Sequence, residues 1–284
     1  SVSFTAEADI TTSSTGTIDV EATAGSITLA TDADQTTGSG DIRFLAATDI
    51  TLGGVATTTG SFSATATAGT IFDGDADGSV DIVATGLRLW SGTGVGELGG
   101  SVNPIETTVT TASARAGVGG ISLRETDTLI VDDTSVTISR VAVDASVSDV
   151  TDATQSDLVT SANGSIVTRV VTGDLTLEDG TAADDNTAVS ANGTGNVLLE
   201  TIDGSITANE DVLSGTGNIT VLASDSVSFT AEADITTSST GTIDVEATTG
   251  SITLATDADQ TTGSGDIRFL AAVDITLGGV STTT

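Results

Sequence analysis

Apolar and polar residues alternate along most of this chain, in short stretches that each begin with a glycine. Residues 16–22, 40–46 and 60–66 start with glycine and place an apolar residue at every second position from the third onward. Alternation with a period of two puts those apolar side chains on one face of a β-strand. The pattern therefore predicts many short strands, each with one buried face.

A second apolar strand follows each of these stretches. Its first inward residue lies 10 or 11 positions after the glycine, as at Ile27, Ile50 and Ile71. Counted along the glycines, the range 1–225 divides into ten such units. Paired strands repeated at this interval are typical of a solenoid, whose turns stack at the strand spacing of about 4.8 Å. We predict an all-β fold, a parallel β-helix (β-solenoid) with about ten coils over the range 1–225.

The competing fold is a string of β-sandwich domains. Such domains have antiparallel strands, aromatic residues in the core and a length of ~100 residues, which an interval of about 22 residues does not suit. In a solenoid, equivalent residues stack into ladders of like side chains. The first ladder is predicted to contain Ile18, Ile42, Phe62, Val80, Ile121, Ile166, Val197, Ile219 and Ile243.

Two parts of the chain depart from this regular pattern. Residues 97–163 are expected to contain two less obvious coils, whose first strands would be residues 100–102 and 135–138. Residues 178–192 are polar and are predicted to form a loop that projects from one corner of the solenoid.

The start of the sequence recurs at its other end. Residues 226–284 repeat residues 1–59 at a constant offset of 225. Three positions differ: Ala24 becomes Thr249, Thr48 becomes Val273 and Ala56 becomes Ser281. Near-identity over this length indicates a recent tandem duplication. We interpret residues 1–225 as one complete repeat and residues 226–284 as the start of the next, continuous with it.

The composition adds strong acidity to this picture. The chain has 40 acidic and 7 basic residues and a formal net charge of -33. This charge argues against nucleic acid as a partner. No apolar run approaches the ~20 residues that a membrane-spanning helix needs. High charge with few aromatic residues is also a feature of disordered chains, but regularly spaced β-branched residues favour strands.

Catalysis is the class of function that the sequence favours least. Parallel β-helices that cleave polysaccharides need a base, a charge-neutralising arginine or calcium ion, and an aromatic residue that stacks on sugar. The chain has no histidine, cysteine, lysine or tyrosine, and its single tryptophan, Trp90, stands two residues from Arg88. We predict that the protein is not an enzyme.

One acidic turn has the spacing of a calcium-binding loop. Asp73, Asp75, Asp77 and Gly78 match positions 1, 3, 5 and 6 of such a loop. Position 12 is Ala84, where the motif has a glutamate, so the alternative is a plain acidic turn between coils. The hypothesis is a weakly bound calcium ion held by the three aspartates. Looser candidates are Asp32 and Asp34 with their copies Asp257 and Asp259, the pair Asp132 and Asp133, and the pair Asp184 and Asp185.

Asn163, Asn192 and Asn218 match the acceptor pattern for N-glycosylation. Asn-Gly is also a favoured turn sequence, and Asn163 and Asn192 directly precede predicted strands. Their position favours the turn interpretation for these two residues.

Several short phrases resemble a known group of proteins. Residues 25–29, 49–54 and 217–223 resemble filamentous-haemagglutinin-type exoproteins, and the chain also resembles the giant bacterial β-strand-repeat surface proteins. Residues 103–111, followed by 119–123, are similar to a phrase found in the latter. The resemblance implies a right-handed parallel β-helix, secretion, and a role in adhesion or fibre formation. It carries over no functional residue.

These observations favour a structural role outside the cell. We expect a segment of an extracellular rod or fibre, part of a giant tandem-repeat bacterial surface protein, which binds copies of itself end to end or laterally. No polar or helical cap is evident at either end, which favours end-to-end association. The alternative is an adhesin stalk, which would bind a cell-surface or polysaccharide ligand through loops at 178–192 or 97–163.

Overall fold

The computed structural model describes residues 1–75, 77–100, 102–181 and 185–283. These ranges form strands and turns and contain no helix. Thirty-one of the strands in these ranges belong to one sheet that winds along the molecule, and the other two form a separate antiparallel hairpin. The predicted all-β parallel β-solenoid is confirmed, and its hand stays a prediction.

Each coil contributes strands to three faces, whereas the sequence pattern predicted two. Face A consists of Val2–Phe4, Ile27–Leu29, Ile50–Leu52, Ile71–Asp73, Gly94–Val95, Gly120–Glu125, Ile166–Val170, Val197–Thr201, Ile219–Ala223, Ile243–Ala247 and Ile267–Ala271. Face B consists of Ile10–Thr11, Gln35–Thr37, Val55–Thr57, the first part of Ile82–Ser91, the middle of Ile105–Ala116, Leu129–Val131, Leu175–Leu177, Ile206–Ala208, Val227–Phe229, Ile252–Leu254 and Ile275–Thr276. Face C consists of Ile18–Ala22, Ile42–Ala46, Ser61–Ala66, the second part of Ile82–Ser91, the end of Ile105–Ala116, Leu158–Thr160, Thr187–Ala191, Asp211–Ser214, Ile235–Thr236, Asp259–Thr262 and Gly279–Thr282.

The third strand of each coil escaped the sequence pattern because several examples are short and polar. Gln35–Thr37 and Asp259–Thr262 point a glutamine and a threonine inward, and the side chains of Gln35 and Gln260 are fully buried. A search for alternating apolar residues does not detect such strands.

The predicted first ladder is wrong in its grouping, because it joins residues from two faces. Ile18, Ile42 and Phe62 stack on face C, whereas Ile121 stacks on face A. Val80 lies in a loop with 39% of its surface exposed, and Leu87 takes the place beside Phe62. The face A ladder runs through Val2, Ile27, Ile50, Ile71, Val95, Ile121, Ile166, Val197, Ile219, Ile243 and Ile267.

The two copies of the repeated sequence do not lie on the same faces. Ile18–Ala22 is on face C, and its copy Ile243–Ala247 is on face A. Val2–Phe4 lies on face A and its copy Val227–Phe229 lies on face B. Counted along the strand pairings, the copy is eight coils further along the solenoid and one face further around it. Each coil has three strands, and several coils carry insertions. Strand pairing continues without interruption across the junction between the two copies.

Glycine is needed at the corners where successive coils pass closest. A Cβ atom on Gly40 would collide with the carbonyl of Gly16 in the coil below, and one on Gly217 would collide with the carbonyl of Gly195. These are glycines that open the alternating stretches of the sequence. These glycines allow one backbone to pass close to the next, because every other residue type carries a Cβ atom that would collide there.

Part of the irregular region, residues 134–155, projects from the solenoid instead of forming a coil. Residues 135–138, predicted as the first strand of a coil, belong to an antiparallel hairpin of Thr134–Val141 and Val147–Gln155, which we call the hairpin. Val102 is exposed and outside any strand, and Ser101 lies outside the described residues. Residues 187–191, predicted as loop, form a strand of face C, and residues 182–184 are not described.

The duplication provides a matched test of core packing. Phe44 is fully buried and contacts Phe62 edge to face, with ring centroids 5.1 Å apart, whereas its copy Phe269 in the last coil is only partly buried. We expect Phe44→Ala to lower the free energy of unfolding by about 3–5 kcal/mol, and Phe269→Ala by less than half as much. Urea unfolding with hydrogen exchange of the flanking coils would measure both. Equal losses at the two positions would contradict this account of the core.

Candidate metal centre

Three buried carboxylate groups converge at the loop that leads from a face A strand to the following face B strand. Asp73 ends the face A strand Ile71–Asp73, and Asp81 directly precedes Ile82–Ser91. The third, Glu106, lies in the next coil. Because Ile82 pairs with Thr107, Asp81 lies beside Glu106, and the Asp81 amide donates to the Glu106 carbonyl at 3.0 Å. Parallel stacking of two coils thus assembles the cluster.

The geometry of the cluster is that of a cation site. One oxygen from each of Asp73, Asp81 and Glu106 lies within 4.8 Å of the other two, and all three residues are buried. Asp73 Oδ2 and Glu106 Oε2 are buried without a hydrogen-bond partner among the described residues. Burying an unpaired carboxylate oxygen is costly unless a proton or a cation satisfies it.

The electrostatics of the site show that its charge is uncompensated. Burial, with the added charge of Asp73, raises the pKa of Asp81 to about 8. Burial and Asp73 also raise the pKa of Glu106 to about 7, against the opposing effect of Arg124. Asp81 and Glu106 therefore resist ionising at this buried site. A bound cation would remove this resistance.

The donor set indicates which cation fits. Three carboxylates without histidine or cysteine offer only hard oxygen ligands, which suit Ca²⁺ or Mg²⁺ rather than Zn²⁺ or Cu²⁺. A neighbouring buried acid shows the contrast. Glu125 accepts hydrogen bonds from Thr107 Oγ1 at 2.6 Å and from the amides of Val109, Thr126 and Asp127, so protein donors satisfy it.

Of the three aspartates suggested by the sequence, the structure brings only Asp73 into this cluster. The other two shape the loop. Asp73 Oδ1 accepts from the Asp75 amide at 2.9 Å, Asp75 Oδ1 from the Asp77 amide at 3.2 Å, and Asp77 Oδ1 from the Ser79 amide at 2.7 Å. The 1, 3, 5 spacing here produces successive Asx turns. A calcium role for Asp75 and Asp77 stays a prediction.

Sequence reasoning did not select Asp81 or Glu106. The two are one coil apart along the chain, and only the register of adjacent coils places them together. A signal was nevertheless present, since Asp81 and Glu106 both stand directly beside residues of the core, Ile82 and Ile105. Acidic residues next to core positions are rarely buried without a partner.

A second acidic cluster has a weaker claim. Asp157, Asp179 and Asp185 lie within the same mutual distance, and burial, then the charges of Asp185 and Asp179, raise the pKa of Asp157 to about 7. Here Ser156 donates to Asp157 at 2.8 Å, and Arg115 lies 3.8 Å from it. These partners already satisfy part of its charge.

The looser candidates are distributed differently. Asp185 belongs to the second cluster, and Asp184 lies outside the described residues. Asp133 accepts from the Thr181 amide at 2.8 Å. Among the described residues, no three-carboxylate group includes Asp32, Asp34, Asp132, Asp133, Asp257 or Asp259.

Two of the acceptor asparagines connect neighbouring coils. Asn163 has φ of 70° and accepts from the Thr194 amide at 3.1 Å, and Asn218 accepts from the Thr242 amide at 3.0 Å. Asn192 is exposed. Glycosylation stays a prediction for all three.

Comparison of the chain with protein-family models, with curated proteins and with solved structures gives no match. Among the described residues, no helix has the length and apolar character needed to cross a membrane.

The raised pKa values predict a pH dependence that calcium should reverse. Between about pH 4 and pH 8 the folded state retains protons on Asp81 and Glu106 that the unfolded state has released. Without divalent cations, the free energy of unfolding should therefore fall as pH rises through this window and level off above it. Millimolar calcium should reduce the fall, with a gain of about 1–2 kcal/mol near pH 8 if the affinity is that of extracellular calcium modules.

Thermal melting in low salt, with chelator or with calcium, would measure this effect. Asp81→Asn and Glu106→Gln should remove most of the calcium gain, while the exposed hairpin control Asp144→Asn should retain it. The site would be excluded if sodium chloride at matched ionic strength produced the same gain, or if all three variants responded as the parent does.

Proposed function

We propose that this chain is a structural segment of an extracellular rod or fibre, stabilised by divalent cations. The observation that carries the proposal is the uninterrupted face A ladder, which joins eleven strands from Val2 to Ile267. Coils stacked at about 4.8 Å make an object roughly 50 Å long that extends by adding coils. A fold of this kind is suited to forming an elongated structure.

The charge of the chain supports an extracellular setting. A net charge of -33 over roughly 50 Å is about one charge per 1.5 Å, close to the ~1.7 Å of duplex DNA. Stacked coils at this charge density need condensed or bound cations. Millimolar calcium is the range in which extracellular calcium modules bind, and the Asp73, Asp81 and Glu106 cluster offers one site for it.

Copies of this sequence are the partner that the proposal names first, because strand pairing runs without interruption from one copy of the repeat into the next.

A second candidate function, an adhesin stalk that binds polysaccharide, has one observation in its favour. A cleft of about 340 Å³ lies beside Trp90 and Arg115, and Val159 and Thr160 complete its wall. Tryptophan stacks on sugar rings, and arginine donates to hydroxyl and carboxylate groups. The short phrases that resemble filamentous-haemagglutinin-type exoproteins fit both candidates.

Imaging of cells that produce the protein would test the structural role. Immunogold labelling with an antibody to the exposed hairpin tip, residues 142–146, should mark extended filaments outside the cell. Antibody blocked with the purified chain provides the control. Label confined to the cell interior would overturn the proposal.

Affinity electrophoresis in soluble polysaccharides would test the second candidate. If the role of the chain is structural, we expect the parent chain to migrate without retardation. A binding stalk instead predicts retardation that Trp90→Ala abolishes and Trp90→Phe, which keeps an aromatic ring, largely preserves.

A further inference from the structure

Two Asn-Gly pairs, Asn163–Gly164 and Asn192–Gly193, lie at the same corner of adjacent coils. Each pair follows a face C strand and leads into a face A strand, and both sets of strands are neighbours in the sheet. The local sequences also match, since residues 161–164 and 190–193 both read Ser-Ala-Asn-Gly. Any difference in reactivity between the two pairs therefore comes from the fold.

The fold restrains the first of these asparagines. Asn163 Oδ1 accepts a hydrogen bond from the Thr194 amide of the next coil at 3.1 Å. The same oxygen lies so close to Gly193 that a Cβ atom on that residue would collide with it. The Gly164 amide donates to the Ser161 carbonyl at 3.2 Å. The asparagine side chain and the amide that follows it are thus both engaged.

The second asparagine has neither restraint. The side chain of Asn192 makes no hydrogen bond within the described part of the chain, and the Gly193 amide donates none to a described residue. Other groups hold the turn: the Asn192 amide donates to Thr160 Oγ1 at 3.3 Å, and its carbonyl accepts from the Gly195 amide at 3.0 Å. Both asparagines are exposed, so access to water does not distinguish them.

We propose that Asn192 is a site of spontaneous deamidation and that the fold protects Asn163 from the same reaction. Hydroxide takes the proton of the Gly193 amide, whose nitrogen attacks Cγ of Asn192. The bond from Cγ to Nδ2 breaks, and Nδ2 leaves as ammonia with a proton from water. Glycine permits this cyclisation because it has no Cβ atom to obstruct the nitrogen.

Water then opens the cyclic imide at one of its two carbonyls. Breaking the bond between Cγ and the Gly193 nitrogen gives an aspartate at position 192. Breaking the bond between the main-chain carbonyl carbon and that nitrogen gives an isoaspartate, in which the chain continues through the side chain. This inference depends neither on the structural role of the chain nor on the metal centre.

The modification would alter the contact between this coil and the next. The Gly193 carbonyl accepts a hydrogen bond from the Thr216 amide, and a Cβ atom on Gly215 would collide with the Gly193 backbone. Either product adds a negative charge to a chain that already has a net charge of -33. Isoaspartate also lengthens the backbone of the turn, for which coils stacked at about 4.8 Å leave no room. We therefore expect isoaspartate to loosen this corner.

Peptide mapping by mass spectrometry would measure the reaction in the full chain, incubated at mildly alkaline pH. Deamidation replaces an amino group by a hydroxyl group, so the mass gain of each peptide identifies the site. We expect Asn192 to react roughly thirtyfold faster than Asn163, because two hydrogen bonds must break before Asn163 can react. The chain should come from a host that does not glycosylate asparagine, since a sugar on Nδ2 would block the reaction.

The unfolded chain is the matched control, because the two local sequences are the same. In concentrated urea both pairs should react at similar rates. Asn192→Gln should remove the product at position 192, since its longer side chain must close a larger ring, and should leave the rate at Asn163 unchanged.

Equal rates at the two sites of the folded chain, or a faster rate at Asn163, would overturn the proposal. A folded chain in which neither site reacts, while both react in urea, would overturn it too. Hydrogen exchange tests the structural consequence separately. The Thr216 amide should exchange faster in the isoaspartate form than in the unmodified chain, and unchanged exchange would contradict the expected loosening.

Discussion

The structure depends on one constraint, the spacing of about 4.8 Å at which each coil must hydrogen-bond to the next. At that distance every side chain lies directly above its equivalent in the coil below. Apolar residues can form such columns, as Ile27, Ile50 and Ile71 do, because they gain from contact with one another. The corners must pass even closer, which is why Gly40 rests on the carbonyl of Gly16.

The same stacking is unfavourable for like charges, and the chain is strongly acidic. Where acids stack on neighbouring coils, they need an opposite charge, a donor or a cation. Asp19 and Glu21 meet Arg43 of the next coil and Arg140 of the hairpin, while Glu125 is satisfied by hydroxyl and amide donors. Asp73, Asp81 and Glu106 form no ion pair among the described residues and keep two buried oxygens without a donor, whereas Asp157 of the second acidic cluster lies 3.8 Å from Arg115.

The tandem repeat does not fill a whole number of coils, and this mismatch has a structural consequence. Identical sequences occupy different faces, so Ile27–Leu29 lies on face A and its copy Ile252–Leu254 on face B. The surface features of successive copies then point in different directions around the axis.

The sequence by itself determined the class of fold and the composition of its core. Period-two alternation after glycine, at a short and recurring interval, is sufficient for a parallel solenoid, because only stacked coils give every such strand a partner. It did not determine which strands share a face. Gln35 and Gln260 fill inward positions without an apolar signal, and Val136 and Ile138 show an alternating pattern but belong to the hairpin.

The cation cluster could not be predicted from the sequence for a related reason. Asp81 and Glu106 lie one coil apart along the chain, and whether they come into contact depends on the length of every insertion between the coils. Local pattern fixes what a strand buries, while register between coils is a property of the folded chain as a whole.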